Sequence, residues 1–458
     1  MPIAELWLER LPQARWFQSK GFPIQGVDIE PLPWYAADSA GWVRSELAHV
    51  GLPDGTATYH LLVGYLPRGA AEPDALVGRV AVGDVPGLDS SALGESVDVV
   101  DAPSSPTAMR LFLAGLVDAP GAAWLAGPPA ADSPSRVFTG EQSNTNVAIG
   151  DSTLLKVFRK VAPGRNLEAE VLRDLAGSGV APALQGTLST ADGSYDLALC
   201  CELVRGAADG WEYAKLACRQ GRPMAAEARE LGRSLKSLHA ALARVYPSAT
   251  IPAEQVRDAM LARLADACDE LPQLRPLADG LARTLRFAAP HLPVQRVHGD
   301  FHLGQALVSG AALGPAPTAE TANSRTSEPT ESTESTESTA ATGRPRWKII
   351  DFEGEPLKTA EERRAPDSVW RDVAGLTRSI DYARSFHADP SSAQARAWAD
   401  QTRAAFLEGY GASADDHPEL LAAYETDKAV YELLYETRNR PDWADIPYQA
   451  LVRLADGG

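Results

Sequence analysis

The sequence is poor in several features that define whole classes of protein. It contains only four cysteines, and their spacing lacks the paired Cys/His pattern of a zinc site. No apolar run reaches the roughly 20 residues of a membrane-spanning helix, and residues 1–16 carry charged side chains where a signal peptide would be apolar. We therefore expect a cytoplasmic protein with reduced thiols at Cys200, Cys201, Cys218 and Cys268.

Positive charge is scarce as well. The chain has 43 Lys and Arg residues against 61 Asp and Glu residues, a formal net charge of −18. Such a field repels nucleic acids and anionic membrane surfaces, so we expect neither as a partner. A nucleotide is also an anion, and a nucleotide site in this chain would need local lysine or arginine side chains and a metal ion. The chain has no Walker sequence.

The order of strand-like and helix-like segments predicts an α+β fold. A chain of 458 residues with 45% hydrophobic and 23% charged residues suits two or three globular domains. Short strand-like segments such as residues 58–65 fill the N-terminal part, and amphipathic helical runs dominate the C-terminal part. The predicted domains are 1–98, 99–204 and 205–458. The predicted helices lie within residues 108–118, 167–175, 224–245, 254–270, 395–409 and 417–438.

Residues 309–346 differ from the rest of the chain in composition. Ser, Thr, Glu, Pro and Ala dominate, and residues 331–339 repeat Glu-Ser-Thr three times in register. Because such a segment has too little apolar surface to offset the entropy of ordering, we predict a disordered insertion. It separates residues 297–308 from 348–356, and a hairpin with a lengthened loop would bring these two segments side by side, since loop entropy grows slowly with length.

These two segments carry the pattern of a phosphoryl-transfer site. The reaction needs an acceptor for the proton of the attacking hydroxyl and oxygen ligands for Mg²⁺ near the γ-phosphate. Asp300, in His-Gly-Asp, supplies the acceptor, and Gln305 follows at the spacing of the metal-binding amide of kinase catalytic loops. Asp351 opens Asp-Phe-Glu after an apolar strand and matches the second metal-binding aspartate. Each motif alone is also typical of a turn, but the two in this order predict a site.

A lysine and a polar loop complete the pattern. Lys156 lies inside an apolar strand, where its charge needs a partner, and the next helix offers Glu168 and Glu170, of which we favour Glu170. A solvent-facing lysine on an edge strand is the alternative. The preceding loop has small polar residues that could cap phosphates through backbone N–H groups, or it is a plain hairpin turn. Its candidate nucleotide-binding residues are Gln142, Ser143, Asn144 and Thr145.

Several of these motifs resemble those of bacterial maltokinases. They lie in residues 141–145, 155–159, 298–305, 351–356 and 427–443, and the similarity runs from residue 15 to residue 447. The resemblance implies a bilobal protein-kinase-like fold of the aminoglycoside phosphotransferase type. In it, a β-rich N-terminal cap domain precedes the kinase N-lobe and a mostly helical C-lobe.

The resemblance also implies an activity. It is the transfer of the γ-phosphate of ATP, with Mg²⁺, to the anomeric hydroxyl of maltose. The product, maltose 1-phosphate, would feed α-glucan and glycogen synthesis from trehalose, with trehalose synthase as a possible functional partner.

Individual residues take roles from the same resemblance. Asp300 would be the catalytic base, with Gln305 and Asp351 as metal ligands. We add Glu353 as a third metal ligand, Glu202 and Val204 beside ATP, and His302 and Arg438 beside the sugar. Lys428, Tyr431 and Tyr435 would also line the sugar site.

The spacing of the last residues agrees with a sugar site on a helix. Lys428, Tyr431, Glu432 and Tyr435 stand at i, i+3, i+4 and i+7 and share one helix face. Aromatic rings and hydrogen-bond donors suit a neutral disaccharide. The alternative is a helix that packs two tyrosines against the rest of the domain.

Two rival functions remain at this point. A kinase of the same fold could act on an amino sugar or aminoglycoside, which would suit an acidic protein, although Lys428 in the sugar site argues against a cationic substrate. The other rival is a pseudokinase that binds a glucan or a partner enzyme. The chain retains Lys156, Asp300, Gln305 and Asp351, which argues against it, since a degenerate site usually loses one of these residues.

Overall fold

The computed structural model describes residues 2–89, 93–138, 143–310, 344–355, 358–412 and 417–457. The chain forms two compact units. The first contains residues 1–173 and 182–205, and the second contains residues 174–181 and 206–458. The predicted nucleotide-binding residue Gln142 and most of the predicted insertion lie outside the described residues.

The first unit contains two antiparallel sheets. The first sheet has the strand order β1-β2-β3-β5-β4, with β10 paired to β3, and the second has the order β6-β11-β12-β9-β8-β7. The predicted strand at 58–65 is confirmed as part of β3. The strands are β1 (Gly26–Asp38), β2 (Gly41–Leu52), β3 (Gly55–Pro67), β4 (Leu76–Ala81), β5 (Ser96–Asp101), β6 (Ala122–Trp124), β7 (Ser135–Val137), β8 (Thr145–Ile149), β9 (Thr153–Val157), β10 (Lys160–Val161), β11 (Leu184–Ser189) and β12 (Asp196–Glu202).

Three helices with fully described bounds accompany these sheets, and two of them confirm predicted helices. They are α1 (Ile3–Arg10), α2 (Pro106–Leu116) and α3 (Leu167–Asp174). Helix α2 begins where its sequence provides a start signal: Ser105 Oγ accepts the Ala108 N–H at 3.2 Å and Pro106 occupies the first helical turn. Helix α1 buries Leu6 and Trp7 in a core shared with the first sheet.

The two sheets of the first unit meet at a two-residue connection. Strand β9 runs in the second sheet, and β10, which begins three residues after β9 ends, pairs with β3 of the first sheet through Lys160 opposite Tyr59. Phe158 and Arg159 form the connection. The backbone N–H of His60 also donates to the Arg159 carbonyl at 2.7 Å, which extends this pairing.

The second unit is mostly helical, as predicted, and all four amphipathic runs are confirmed as helices. Its helices are α4 (Gly210–Arg219), α5 (Ala225–Val245), α6 (Ala253–Glu270), α7 (Ala278–Thr284), α8 (Ala360–Arg364), α9 (Trp370–Arg384), α10 (Ala393–Tyr410), α11 (Pro418–Asn439) and α12 (Asp445–Ala455). Helices α5 and α10 approach closely at two glycines. A Cβ on Gly232 would lie 2.2 Å from the Phe406 carbonyl oxygen, and one on Gly409 would lie 1.9 Å from that of Arg229.

Five short strands form two small sheets in the second unit. They are β13 (Ala208–Asp209), β14 (Ala249–Pro252), β15 (His291–Val294), β16 (Ala306–Ser309) and β17 (Arg346–Ile349). The predicted hairpin is confirmed, because β16 and β17 pair antiparallel with Ala306 opposite Ile349. The predicted limits 309–346 for the insertion are too wide, because Ser309 and Arg346 pair with each other and both belong to the sheet.

In the described ranges, no helix combines the length and the apolar character that crossing a bilayer requires.

Candidate active site

The loop that carries Asp300 is held by a buried aspartate of helix α9. Asp372 is fully buried, and its two carboxylate oxygens accept the backbone N–H groups of His298 and Gly299, each at 2.8 Å. The ring of His298 donates from Nε2 to the carbonyl of Ile350 at 2.9 Å, directly before Asp351. These bonds fix the His-Gly-Asp loop on one side against α9 and on the other against the Asp-Phe-Glu segment.

A second layer of hydrogen bonds orients Asp372. His239 of α5 donates from Nε2 to Asp372 at 2.8 Å, and its Nδ1 accepts from the hydroxyl of Tyr410 in α10 at 2.9 Å. Burial alone would raise the pKa of Asp372, but hydrogen bonds from His239 and the loop backbone hold it below its usual value. The loop therefore rests on a carboxylate that stays charged.

Asp300 is paired with a lysine from helix α11. Lys428 Nζ lies 3.0 Å from Asp300 Oδ1 and 2.8 Å from Glu355 Oε1, and the lysine side chain is only 10% exposed. Burial would lower the pKa of Lys428, but Asp300 and Glu355 hold it well above its usual value. Burial would likewise raise the pKa of Glu355, but Lys428, with Arg371 and Lys358, holds it well below its usual value. Both groups are therefore charged.

This ion pair corrects one inference from the sequence. The sequence places Lys428 in the sugar site, where its positive charge would disfavour a cationic substrate. In the structure two carboxylates neutralise the ammonium, because a buried charge needs partners. The presence of Lys428 therefore no longer argues against an amino sugar.

The predicted metal ligands lie close to one another in the second unit. Gln305 Nε2 donates to Asp351 Oδ2 at 3.0 Å, which directs the carbonyl oxygen of the amide away from that bond. Carboxylate oxygens of Asp351 and Glu353 lie within 4.8 Å of each other. An amide and two carboxylates are the hard oxygen donors that Mg²⁺ takes, so these residues fit the ion.

The backbone at Asp351 is strained. Its φ of 63° lies in the left-handed region that residues other than glycine rarely adopt. The Ile350 N–H, which donates to the Gln305 carbonyl at 3.0 Å, fixes the residue before it. Such strain is common where a functional side chain must be aimed in one direction.

In the first unit, Lys156 is buried and paired with Glu168. Lys156 Nζ donates to Glu168 Oε2 at 2.5 Å, and the two side chains are 10% and 7% exposed. Strand β9 lies between β8 and β12, so the alternative of a solvent-facing edge lysine is wrong. The preference for Glu170 as the partner is wrong too. Residues two apart on a helix point about 200° away from each other, and it is Glu168 that α3 buries.

The predicted phosphate loop is only partly as expected. Ser143 is exposed, whereas Asn144 and Thr145 are buried, and the side-chain oxygens of both accept hydrogen bonds from Arg159. Glu202 ends β12, where its carboxylate accepts the Ala183 N–H at 3.2 Å, and Val204 follows two residues later, half-buried.

Helix α11 presents the predicted aromatic face. The rings of Tyr431 and Tyr435 stack with centroids 6.4 Å apart and 18° between their planes, and Lys428 Nζ lies 4.8 Å from the centre of the Tyr431 ring. Both rings are half-buried. Lys428, which contacts both Asp300 and the Tyr431 ring, thus links this aromatic pair to the loop of Asp300.

Two other residues predicted for the sugar site, His302 and Arg438, have partners elsewhere in the fold. The His302 Nδ1 accepts the Gly304 N–H at 3.1 Å, and burial, partly offset by Asp300, lowers the pKa of its ring, so it is neutral at pH 7. Arg438 is not brought to this cluster. It pairs with Glu270 of α6 at 2.8 Å on the surface. Ten residues, or about 15 Å along the helix, separate Arg438 from Lys428.

Sequence reasoning missed several residues that shape these groups. His239 lies in a helix that was predicted from its apolar periodicity, whereas Asp372 lies in α9, which was not among the predicted helices. Glu355 was inside a recognised motif but received no role. Next to Tyr435, Arg440 lies over the rings of both Tyr435 and Trp443, at 5.6 and 5.1 Å from their centres.

Two family models match the chain. Residues 10–89 match the maltokinase N-terminal cap domain, and residues 135–314 match the phosphotransferase enzyme family. Two curated relatives are named glucosamine kinase. The protein from Streptacidiphilus jiangxiensis is 27% identical over 69% of this chain and 72% of its own length. The protein from Mycolicibacterium smegmatis is 26% identical over 70% of this chain and 80% of its own length.

A solved structure shares the fold along nearly the whole chain. It is a glucosamine kinase in complex with glucosamine, ADP and inorganic phosphate, and it is 22% identical with a TM-score of 0.61. The match covers 98% of this chain and 99% of that one. The expected α+β kinase-like fold, with a β-rich N-terminal part and a helical C-terminal part, is thus confirmed. The expected resemblance is therefore confirmed at the level of domains: residues 10–89 are similar to the maltokinase N-terminal cap domain, and residues 135–314 are similar to the phosphotransferase enzyme family.

Proposed function

We propose that the protein is an ATP-dependent sugar kinase. The observation that carries the proposal is the arrangement at Asp300: a carboxylate on a loop anchored to Asp372, with the oxygen donors Gln305 and Asp351 close to each other. This is the donor set that phosphoryl transfer requires. A protein that only binds a sugar has no need of it, which disfavours the pseudokinase.

The proposed roles follow from the contacts. Asp300 accepts the proton of the attacking sugar hydroxyl, whose oxygen forms a bond to the γ-phosphorus while the bond from that phosphorus to the bridging oxygen breaks and ADP leaves. Lys156, oriented by Glu168, holds phosphate oxygens of ATP. Mg²⁺, when bound by Gln305, Asp351 and Glu353, would offset the negative charge of the phosphates.

Maltose is the first candidate substrate. The resemblance of the motifs and the match of residues 10–89 to the maltokinase cap support it. The half-buried rings of Tyr431 and Tyr435 offer a stacking surface that suits a neutral disaccharide. The product would be maltose 1-phosphate, for α-glucan synthesis, and trehalose synthase would be a functional partner upstream.

Glucosamine is a full second candidate. Both curated relatives carry that substrate in their name, and the ammonium of Lys428 is neutralised by Asp300 and Glu355. The site around Asp300 therefore does not repel a protonated amine. Glu432, the remaining acidic residue on this face, is paired with Arg378 at 2.8 Å.

A paired substrate assay tests the proposal. The purified protein is incubated with ATP, Mg²⁺ and one of maltose, glucosamine or glucose, and ADP release is followed together with the phosphorylated position by ³¹P and ¹³C NMR. Sugar-dependent ADP release supports a sugar kinase, and phosphate on C1 of maltose supports the first candidate. Turnover of glucosamine without maltose selects the second candidate. If no sugar in a wider panel stimulated the release of ADP, the result would contradict the proposal.

A further inference from the structure

Arg159 is a fully buried arginine at the connection between the two sheets of the first unit. Its exposed fraction is 0%, and it is among the largest completely buried side chains of the described residues. It lies two residues after the end of β9, the strand that carries Lys156. A buried guanidinium is costly unless it is paired and hydrogen-bonded, so the partners of Arg159 have a purpose in the fold or in the site.

On one side, Arg159 fixes the loop before β8. Its backbone N–H donates to Asn144 Oδ1 at 3.2 Å, and its Nε donates to Thr145 Oγ1 at 2.8 Å. Asn144 connects the exposed Ser143 to strand β8, and Thr145 is the first residue of that strand. Both the side chain and the backbone of Arg159 therefore hold the C-terminal end of the predicted phosphate loop.

On the other side, Arg159 is held by the N-terminal part of the chain. Its NH2 donates to both carboxylate oxygens of Asp101, at 2.8 and 2.9 Å, and its guanidinium carbon lies 4.5 Å from the centre of the Trp16 ring. Asp101 is the last residue of β5 in the first sheet. The carbonyl of Arg159 accepts the N–H of His60 in β3.

We propose that Arg159 is the positioning residue through which the N-terminal part of the chain, residues 1–101, sets the affinity for nucleotide. Asp101 and Trp16 fix the guanidinium, the guanidinium fixes Thr145, and the backbone N–H of Arg159 fixes Asn144. The inference rests on the proposed function, because it assigns the loop to ATP. A chain without residues 1–101 would lack both the charge and the ring that hold Arg159, which gives this N-terminal part a role in the reaction.

A matched pair of variants on one strand tests this inference. Asp101→Asn removes the charge that holds Arg159. Asp98→Asn removes an equivalent charge three residues earlier on β5, where Asp98 pairs with Arg79 at 2.6 Å and accepts the backbone N–H of Gly69 at 2.7 Å. Asp98 is the more buried of the two, with 1% against 22% of its side chain exposed, so its loss is a strict control for general damage.

We expect Asp101→Asn to raise the Kd for ADP, measured by calorimetry, and the KM for ATP by about tenfold, while the KM for the sugar stays within about twofold. Asp98→Asn should leave all three constants unchanged. Thr145→Val, which removes only the acceptor of Arg159 Nε, should reproduce the split between ATP and sugar if Asp101→Asn fails to fold. Equal constants for wild type, Asp101→Asn and Thr145→Val would overturn the inference. A wild-type protein that binds no ADP would instead overturn the proposed function, and the inference with it.

Discussion

The charge on Asp300 is balanced by a residue far away in the sequence. Lys428 and Asp300 are 128 positions apart, and their contact exists only because helix α11 packs beside the loop that Asp372 anchors. Glu355 shares the same ammonium, so Lys428 keeps one carboxylate partner whatever happens at Asp300. The site can therefore lose the charge of Asp300 without leaving a buried cation unpaired.

This arrangement makes Asp300→Asn an informative substitution. The amide cannot accept the hydroxyl proton, and we expect kcat to fall by about 10²–10⁴-fold. Folding should persist, because Glu355 still pairs with Lys428. Steady-state kinetics give the loss, and circular dichroism with ADP calorimetry provides the control. Turnover within a few fold of wild type would show that another group accepts the proton.

The lysine of β9 offers a second test at this scale, with its control in the same helix. Glu168→Gln removes the carboxylate that Lys156 Nζ contacts, and we expect kcat/KM for ATP to fall by about 10–100-fold, the effect of breaking a buried charge pair at a reacting group. Glu170→Gln, two residues on, should change it by less than about threefold. The comparison is made by steady-state kinetics at saturating sugar. If the Glu170 variant suffers the larger loss, the pairing with Glu168 has no role in ATP binding.

Sequence patterns identified the chemistry-bearing residues better than their partners. Asp300, Gln305, Asp351 and Lys156 stand in motifs with fixed spacing, and spacing is visible in a sequence. The partner of Lys156 depends on which face of α3 is buried. The first turn of this helix contains two glutamates, and the local sequence does not distinguish them. Asp372 anchors the loop from 72 positions after Asp300, a separation that no local pattern encodes.

At the level of elements, the β16–β17 hairpin shows how the fold tolerates a long connection. Ala306 pairs with Ile349 and Ser309 with Arg346, so the ladder is complete up to the point where the Ser/Thr/Glu-rich segment begins. Composition predicted the hairpin but set the limits of the polar segment one residue too far into each strand, at 309 and 346. Predicted helix positions were equally secure, since apolar periodicity over 15 or more residues is a strong signal.

The hairpin predicts that the long connection is dispensable. Replacing residues 311–343 with a four-residue Gly/Ser linker should leave kcat and KM unchanged. It should raise the free energy of unfolding by at most about 2 kcal/mol, because closing a shorter loop costs less entropy. Kinetics and urea unfolding provide the measurement. A loss of activity or of stability would show that the segment contacts the folded part of the chain.

At the level of the whole molecule, stability should depend on pH through groups that are buried in one protonation state. Asp372 and Glu355 are held as carboxylates, with pKa values below their usual range. Their contribution to stability is complete above the pKa of the unfolded chain, about 4, and is lost as the pH falls through the lower folded values. Acid therefore destabilises the second unit below about pH 4.

His60 in the first unit acts in a higher pH window. It lies in β3, where its Nε2 contacts Ser45 Oγ at 2.7 Å and its Nδ1 contacts the carbonyl of Phe158 at 3.0 Å. Burial, with the nearby charge of Arg159, lowers its pKa from 6.5 to about 3. Between these two pH values the unfolded chain binds the proton and the folded protein does not, so stability falls as the pH is lowered.

The expected slope is about 1.4 kcal/mol of unfolding free energy per pH unit from His60 alone, between pH 6 and pH 5. The glutamine amide of His60→Gln can form hydrogen bonds but does not titrate. The variant should be no more stable than wild type at pH 7, and the slope of its unfolding free energy against pH should be smaller than that of wild type by this amount. Urea unfolding of wild type and variant at pH 5.0, 5.5, 6.0 and 7.0, with a fluorescence signal from the tryptophans near the first sheet, gives both slopes. The difference between slopes removes the contribution of the other histidines, since they are common to both proteins. Parallel lines would mean that His60 is protonated in the folded protein, and the buried contact with Phe158 would then have to tolerate a charge.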